Sequence, residues 1–309
     1  MTAARRGTTD LSGILIVDKP PGMTSHDVVA AVRRTTGERR VGHAGTLDPA
    51  ATGVLVVLVG PATRLAPYLT AARKSYSARI SFGSCTDTDD AEGTIVETAP
   101  VPDRLADGAA AQAVVRELIG THEQIPPAFS AIKRGGTVAH RAARAGTPLA
   151  LEPRTVDIYK AELDGVDPGP PLAWDVLLTV SKGTYVRSIA RDLGSSLGTC
   201  AHLATLRREA SGAASRADAH SLDDITSRTD VRPLFTDPVH LLGFPVVNVD
   251  DTAARRVADG APLPADLLPS PNADLAAIVH GDRLLALYRT DAPTGTLRPD
   301  VVLPGGIDR

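Results

Sequence analysis

The 309-residue sequence is poor in aromatic residues and cysteine and contains no long apolar run. Aromatic side chains are 3% of the residues, so the core must be built mainly from Val, Leu, Ile and Ala. Two cysteines, Cys85 and Cys200, exclude a disulfide framework and a four-cysteine zinc site. The longest apolar run, residues 53–60, has the length of a strand and not the ~18 residues of a membrane span. No apolar stretch follows the N-terminal arginines, so we expect a cytoplasmic protein without a signal peptide.

The net charge of −3 conceals a segregation of charge along the chain. Residues 1–80 carry 11 basic and 5 acidic side chains, and residues 131–160 and 182–216 are also basic. Residues 81–124 and 217–309 are acidic. From charge alone two interpretations stay open. The basic segments form either ordinary solvated faces or one face that binds an anionic polymer such as nucleic acid.

The pattern of apolar residues predicts an α+β protein with a mixed, mostly antiparallel sheet flanked by helices. The main domain is expected to span residues 1–246, and residues 247–309, which contain no glutamate, to form a small C-terminal α+β or β module. Ser25 and Thr184 are each predicted to cap a helix. Strands are predicted over residues 13–17, 54–59, 76–82, 155–163, 174–180 and 201–208.

Residues 121–150 show no sustained strand pattern and contain a Pro-Pro pair, a Gly-Gly pair and several basic residues. We therefore expect a long loop with a short helix around residues 138–145. A loop of this length inside a compact domain is either functional or disordered.

The glycine-rich segment 42–53 (GHAGTLDPAATG) contains an aspartate in a constrained position. Asp48 precedes Pro49, which restricts its backbone to extended geometry, and the glycines allow a tight turn or a close approach to a ligand. His43 lies five residues before it. A structural turn and a reactive carboxylate are the two alternatives for Asp48. The segment contains no P-loop, GxGxxG, HExxH or serine-elbow motif, which disfavours the common nucleotide-binding and hydrolase classes.

This segment and five others, in the same order, resemble the motifs of the TruB family, the tRNA pseudouridine synthases that modify uridine 55 of the T loop. The resemblance covers residues 11–212, with Ala44 standing where many relatives have Thr. It implies a pseudouridine-synthase-like core and a PUA-like RNA-binding module over residues 247–309. The six matching blocks are DKPPGMTS at 18–25, GHAGTLDPAATGVLVV at 42–57, KSY at 74–76, QIPPAFSAIK at 124–133, KGTYVR at 182–187 and AHLATLRR at 201–208.

The resemblance implies three catalytic residues. Asp48 would be the reacting carboxylate, Tyr76 would stack on the flipped uracil, and Arg187 would pair with Asp48 and keep it ionised. A core tyrosine is the alternative for Tyr76, and a solvated helix residue is the alternative for Arg187. Three routes stay open for Asp48: attack on the ribose C1′, removal of the C2′ proton to give a glycal, and addition to uracil C6.

The resemblance also implies residues that bind the substrate. Tyr185 and Leu206 would line the base pocket, with a plain core role as the alternative for Leu206. His43 would contact displaced loop nucleotides, and because it has no partner at metal-ligand spacing we expect no metal site. Lys19 would either support the fold of the first motif or contact a phosphate. The segment at about 124–146 would close on the RNA with the basic residues Lys133, Arg134, Arg141 and Arg144.

No cofactor is implied, and the expected partner is the T stem-loop of tRNA, bound by a monomer without an obligate protein partner. The alternative function is a non-catalytic tRNA-binding or tRNA-folding protein on the same scaffold, which would have no need to keep Asp48, Tyr76 and Arg187 together. A glycoside-type hydrolase is a second alternative. Such enzymes normally use paired carboxylates, and segment 42–53 contains only Asp48.

Overall fold

The computed structural model describes residues 9–269, 273–291 and 293–309. The chain divides into two compact units. Of the described residues, those up to 72 and those from 210 onward form unit 1, and residues 73–209 form unit 2. Among the described residues, no helix is both long and apolar enough to cross a membrane.

The first sheet of unit 1 is built around a buried antiparallel pair. Strand Gly13–Lys19 pairs with Thr52–Val59, so that Val17 faces Leu55, and it pairs in parallel with His220–Ser221 on its other side. Val41–His43 pairs antiparallel with Thr52–Val59. Both long strands are buried almost throughout, which explains why they appear in the sequence as continuous apolar runs instead of alternating ones. The short strand Ala214–Ser215 pairs with residues 210 and 211.

The longest helix described in unit 1, Ser25–Thr36, ends at Gly37. Its cap is Thr24 and not Ser25, so that prediction was wrong by one residue. The Thr24 hydroxyl accepts a hydrogen bond from the Asp27 amide, and the Asp27 carboxylate accepts one from the Thr24 amide. The other helices of unit 1 are Ala66–Thr70, Leu222–Thr226, Pro238–Leu242 and Asp251–Ala258, with 3-10 turns at Gly60–Leu65, Arg216–Asp218, Arg232–Leu234 and Ala265–Leu267.

The second sheet of unit 1 lies in the C-terminal part of the chain. Its strands follow the order Val246–Asn248, Leu275–His280, Arg283–Asp291, Thr296–Asp308 and Leu263–Pro264. The first pair is parallel and the others are antiparallel. Val279 and Leu287 of this sheet lie in the same buried apolar cluster as Ile16 and Val56 of the first sheet. The C-terminal part of the chain thus contains a helix and a sheet that share a core with the first strands of unit 1, and its separation as a module over residues 247–309 stays a prediction.

Unit 2 contains five strands that follow one another in a sheet, with Gly120–Gln124 at the edge. The strands follow the order Ala201–Ser211, Lys74–Phe82, Ala173–Val180, Arg154–Asp167 and Gly120–Gln124. The last four are antiparallel neighbours. Trp174, the one tryptophan of the sequence, is fully buried in this unit, where its indole donates to the Leu105 carbonyl at 2.8 Å and its ring lies 4.7 Å from that of Phe82.

The helices of unit 2 are Gly108–Glu117, Ala139–Arg144 and Val186–Ser196, with a 3-10 turn at Asp103–Ala106. A small hairpin pairs Ser84–Thr86 with Ile95–Thr98. The prediction that Thr184 caps the third helix was wrong. Tyr185 occupies the cap position, where its side chain does not cap the helix, and the Thr184 hydroxyl donates to the Ser181 carbonyl.

The region predicted as a loop over residues 121–150 contains more regular structure than expected. Its start belongs to the edge strand Gly120–Gln124, and Lys133–Arg134 pairs with Thr137–Val138 in a hairpin. Gly135 and Gly136 form the turn of that hairpin with φ angles of 56° and 82°, a conformation that favours glycine at both positions. The short helix was correctly predicted. The α+β class and the mixed, mostly antiparallel sheet are confirmed.

Candidate active site

The loop that carries Asp48 connects two paired strands of unit 1 and is held by hydrogen bonds. The Ser25 hydroxyl donates to the Leu47 carbonyl at 3.0 Å and accepts from the Leu47 amide at 2.9 Å. On the other side, the Ala51 amide donates to the Asp48 carbonyl at 3.2 Å. Leu47 and Ala51 are buried while Asp48 is half-buried. The loop therefore holds one carboxylate at the surface on an anchored backbone.

Lys19 holds the same loop through hydrogen bonds of its ammonium group. Its side chain is fully buried, and its ammonium group donates to the carbonyls of Pro20, Met23 and Pro49 at 2.8, 2.6 and 3.0 Å. Pro49 follows Asp48 directly, and its carbonyl also accepts from the Gly22 amide at 3.0 Å. Of the two roles predicted for Lys19, this geometry favours support of the fold, because contact with a phosphate would break these three hydrogen bonds.

His43 lies half-buried at the start of the same loop, and its ring meets that of His26 edge to face, with centroids 5.4 Å apart. His26 is exposed and was not singled out in the sequence. Within the part of the chain that the structure describes, no three His, Cys, Asp or Glu side chains are grouped to hold a metal ion.

Tyr76 and Leu206 lie on two neighbouring strands of unit 2. Both side chains are partly buried and pack against the apolar cluster of that unit. Lys74, at the start of the strand that carries Tyr76, is buried, and this burial lowers its pKa to about 8, with the nearby cations Arg208 and Lys182 acting in the same direction. The predicted role of Tyr76 in stacking and that of Leu206 in lining the base pocket stay predictions.

Tyr185 is fixed through its backbone by a glutamine from the edge strand. The Gln124 side-chain amide donates to the Tyr185 carbonyl at 3.1 Å, and its carbonyl oxygen accepts from the Tyr185 amide at 2.8 Å. This double hydrogen bond joins the start of the basic segment to the start of the helix that carries Arg187. The sequence motif contained Gln124, but nothing in it pointed to this partner.

Arg187 is buried, which excludes the alternative of a solvated helix residue. Its two terminal nitrogens donate to the carbonyls of Thr88 and Phe129, each at 3.1 Å, and one of them lies 3.5 Å from the Asp90 carboxylate. The hairpin of residues 84–98, whose turn contains Asp89 and Asp90, is called the acidic hairpin below. This hairpin and the basic segment 124–146 are thus both attached to the Arg187 guanidinium group. The predicted pairing of Arg187 with Asp48 joins residues of different units and stays a prediction.

The basic residues of the segment 124–146 are exposed. Lys133 and Arg134 lie on the hairpin, and Arg141 and Arg144 lie on the short helix that follows it. Arg134 forms an ion pair with Glu152 at 2.8 Å and donates to the Ala150 carbonyl. These cations can reach a polyanion without breaking a buried contact.

Two family models match the sequence. The model described as "TruB family pseudouridylate synthase (N terminal domain)" matches residues 33–186, and that described as "tRNA pseudouridylate synthase B C-terminal domain" matches residues 187–232. Together they cover both the Asp48 loop and the Arg187 helix.

Two proteins that are similar to this chain share one name. A protein of Thermobifida fusca named "tRNA pseudouridine synthase B" is 44% identical over 299 residues, which are 95% of this chain and 99% of that protein. A Thermus thermophilus protein with that name is 41% identical over 301 residues, 86% of this chain and 94% of the relative.

Among solved structures, a chain of a Cbf5-Nop10-Gar1 complex is similar with a TM-score of 0.65 and 27% identity, covering 90% of this chain and 78% of its own. A chain of an archaeal box H/ACA sRNP Nop10-Cbf5 complex reaches a TM-score of 0.67 at 25% identity, with 94% and 86% covered.

Proposed function

This chain belongs to the TruB family of pseudouridine synthases, and on that premise we propose that it isomerises uridine 55 in the T loop of tRNA to pseudouridine. Its relatives are named as synthases, so the non-catalytic alternative is not favoured. One observation carries the proposal. Within the matched region the half-buried carboxylate of Asp48 stands on a loop whose backbone is anchored by Ser25 and Lys19.

The reaction is an isomerisation, so its atoms balance without an oxidant or a co-substrate. The N1–C1′ bond of the nucleotide breaks and a C5–C1′ bond forms, while C5 loses a proton and N1 gains one. In this proposal Asp48 is the reacting group, as a nucleophile toward C1′, as a base toward the C2′ proton, or by addition to C6. In each case the carboxylate must be ionised and held in a fixed direction, and the anchored loop provides that fixed direction.

Tyr76 and Arg187 complete the proposed catalytic set. Tyr76 stacks on the flipped uracil, and Arg187 supports the charge of Asp48. Tyr185 and Leu206 line the base pocket, and the fixed backbone of Tyr185 supports this role.

We propose that the exposed cations of segment 124–146 bind the phosphates of the T stem-loop, and that His43 contacts the displaced loop nucleotides. Flipping a stacked base costs a few kcal/mol, which contacts to the surrounding RNA must offset. Phosphate contacts provide this binding energy without reading the sequence, so the affinity must fall as salt rises. The four basic residues of this segment are exposed, which supports the assignment.

We further propose that the protein works in the cytoplasm as a monomer, on tRNA and without a cofactor. Its two cysteines are free thiols, as expected for a reducing compartment. The C-terminal module, predicted to be PUA-like, is proposed to extend the contact with RNA.

The proposal is tested by incubating the protein with an unmodified tRNA transcript and mapping pseudouridine by carbodiimide labelling and primer extension. We expect one new stop, which reports pseudouridine at position 55. The matched control is a transcript with cytidine at that position, which should give none. No stop with the first transcript, or a stop at another uridine, would refute the assigned activity or its target.

A further inference from the structure

The helix Val186–Ser196 carries a second arginine one turn after Arg187. Arg191 lies four residues later, so the two guanidinium groups project from the same face of the helix. One terminal nitrogen of Arg191 donates to the Asp89 carboxylate at 2.9 Å, and the other donates to the Ile125 carbonyl at 2.8 Å. Its Nε donates to Asp192, which is half exposed.

Arg191 therefore joins the same two segments that Arg187 joins. Asp89 belongs to the acidic hairpin whose Thr88 carbonyl accepts from Arg187. Ile125 belongs to the basic segment whose Phe129 carbonyl accepts from Arg187. The two arginines thus form two parallel connections between one hairpin and one loop, about one helical turn apart.

Both residues that Arg191 contacts are held by further hydrogen bonds. Asp89 has a φ angle of 62°, in the left-handed region that aspartate and asparagine adopt more readily than other non-glycine residues. Its carbonyl accepts from the Leu203 amide at 3.0 Å, which ties the hairpin to the strand of Leu206. The Ile125 carbonyl accepts a second hydrogen bond, from the Ser188 hydroxyl at 2.9 Å.

The Asp89 carboxylate is nearly buried and is compensated by Arg191. Burial raises the pKa of Asp89, although the charge of Arg191 and its hydrogen bond oppose this shift. A carboxylate whose side chain is only 14% exposed and which lies 2.9 Å from a guanidinium nitrogen is unlike an incidental surface pair.

We propose that Arg191, acting through Asp89 and the Ile125 carbonyl, is a positioning residue for Arg187. It fixes the two segments whose carbonyls orient the Arg187 guanidinium group, and does so without contacting substrate. This inference rests on the proposed function, because Arg187 acts in catalysis only if the chain is a pseudouridine synthase.

The test compares single-turnover rates of pseudouridine formation and tRNA affinities for the wild-type protein, Arg191→Met, Arg191→Lys and Asp89→Asn. Asparagine tolerates the positive φ angle and removes only the charge. Asp192→Asn is the matched control, since its half-exposed side chain accepts from the Arg191 Nε and the substitution leaves the Arg191 donors to Asp89 and Ile125 unchanged.

We expect Arg191→Met and Asp89→Asn to lower the single-turnover rate about tenfold each, with tRNA affinity within about twofold of wild type. The double variant should be no slower than either single variant, because both remove the same connection. The single-turnover rate of Arg191→Lys should lie between those of wild type and Arg191→Met, since one ammonium group can keep the Asp89 contact while losing that to Ile125. Asp192→Asn should match wild type.

Three results would overturn the inference while leaving the proposed function intact. They are wild-type rates in both single variants, an additive double variant, and a loss that appears only in tRNA affinity or thermal stability. A wild-type protein that forms no pseudouridine would instead refute the proposed function, and the inference with it. Because Asp89→Asn and Arg191→Lys are conservative, a folding defect in Arg191→Met does not prevent the comparison.

Discussion

Replacing Arg187 with methionine should destabilise unit 2 by about 3–5 kcal/mol. Methionine keeps the apolar stem but removes the donors to the Thr88 and Phe129 carbonyls. A buried carbonyl that loses its partner costs about 1–3 kcal/mol, so the two together account for roughly 2–6 kcal/mol. The nearby Asp90 carboxylate, 13% exposed, loses its cation as well. Some water will enter as the segments relax, which keeps the expected value near the middle of that range.

The measurement is urea unfolding followed by the fluorescence of Trp174, which is fully buried in the same unit. Arg187→Lys should lie between wild type and Arg187→Met, because one ammonium group cannot donate to both carbonyls in the same geometry. Arg116→Met is the matched control, an exposed arginine on a helix of the same unit, and should change the free energy of unfolding by less than about 0.5 kcal/mol. A loss of less than about 1 kcal/mol for Arg187→Met would refute the reasoning.

Three further outcomes are expected. Gly60→Ala should destabilise the protein by roughly 2–5 kcal/mol in chemical unfolding, because φ is 63° there and the added Cβ would overlap a backbone carbonyl. Gly22→Ala, at φ 77° with open space around it, should lose only the free energy that a positive φ costs an alanine, without the steric overlap. Burial lowers the pKa of Lys74 to about 8 from 10.5, so the unfolded state binds more protons between those values. Wild-type stability should therefore rise relative to Lys74→Met as the pH increases from 8 to 10.5, and a flat difference would contradict this. Neutralising Lys133 and Arg134 together should weaken tRNA binding and flatten its salt dependence, and an unchanged salt slope would contradict the proposed phosphate contacts.

The sequence predicted the regular elements better than their ends. The strands Gly13–Lys19 and Thr52–Val59 were predicted to within two residues at each end, because continuous apolar runs of that length have few alternatives. The helix cap at Thr24 was missed since the hydroxyl of Ser25 bonds to Leu47, 22 residues away, and no local pattern reveals such a contact. The hairpin around Gly135 was missed because each of its strands has only two residues, although the Gly-Gly pair was a usable signal.

The candidate site was predictable in its residues but not in its connections. The resemblance to a family identified Asp48 and Arg187 by motif alone. The partners of Arg187 in unit 2 include two backbone carbonyls, which every residue possesses, so residue types could not identify them. The contact between Asp89 and Arg191 could not be predicted for a related reason: only the fold brings the hairpin that carries Asp89 to the arginine-bearing face of the helix.

The central claim, that Asp48 is the reacting group, is tested most directly by single-turnover conversion of a T stem-loop RNA with Asp48→Asn. The substitution removes the charge and the nucleophile at almost constant volume. We predict that the rate falls below a hundredth of the wild-type value, a barrier increase of more than roughly 2.7 kcal/mol. RNA affinity, measured by filter binding, should stay within about tenfold, or roughly 1.4 kcal/mol. A variant that binds RNA normally and keeps more than a hundredth of the wild-type rate would contradict the claim.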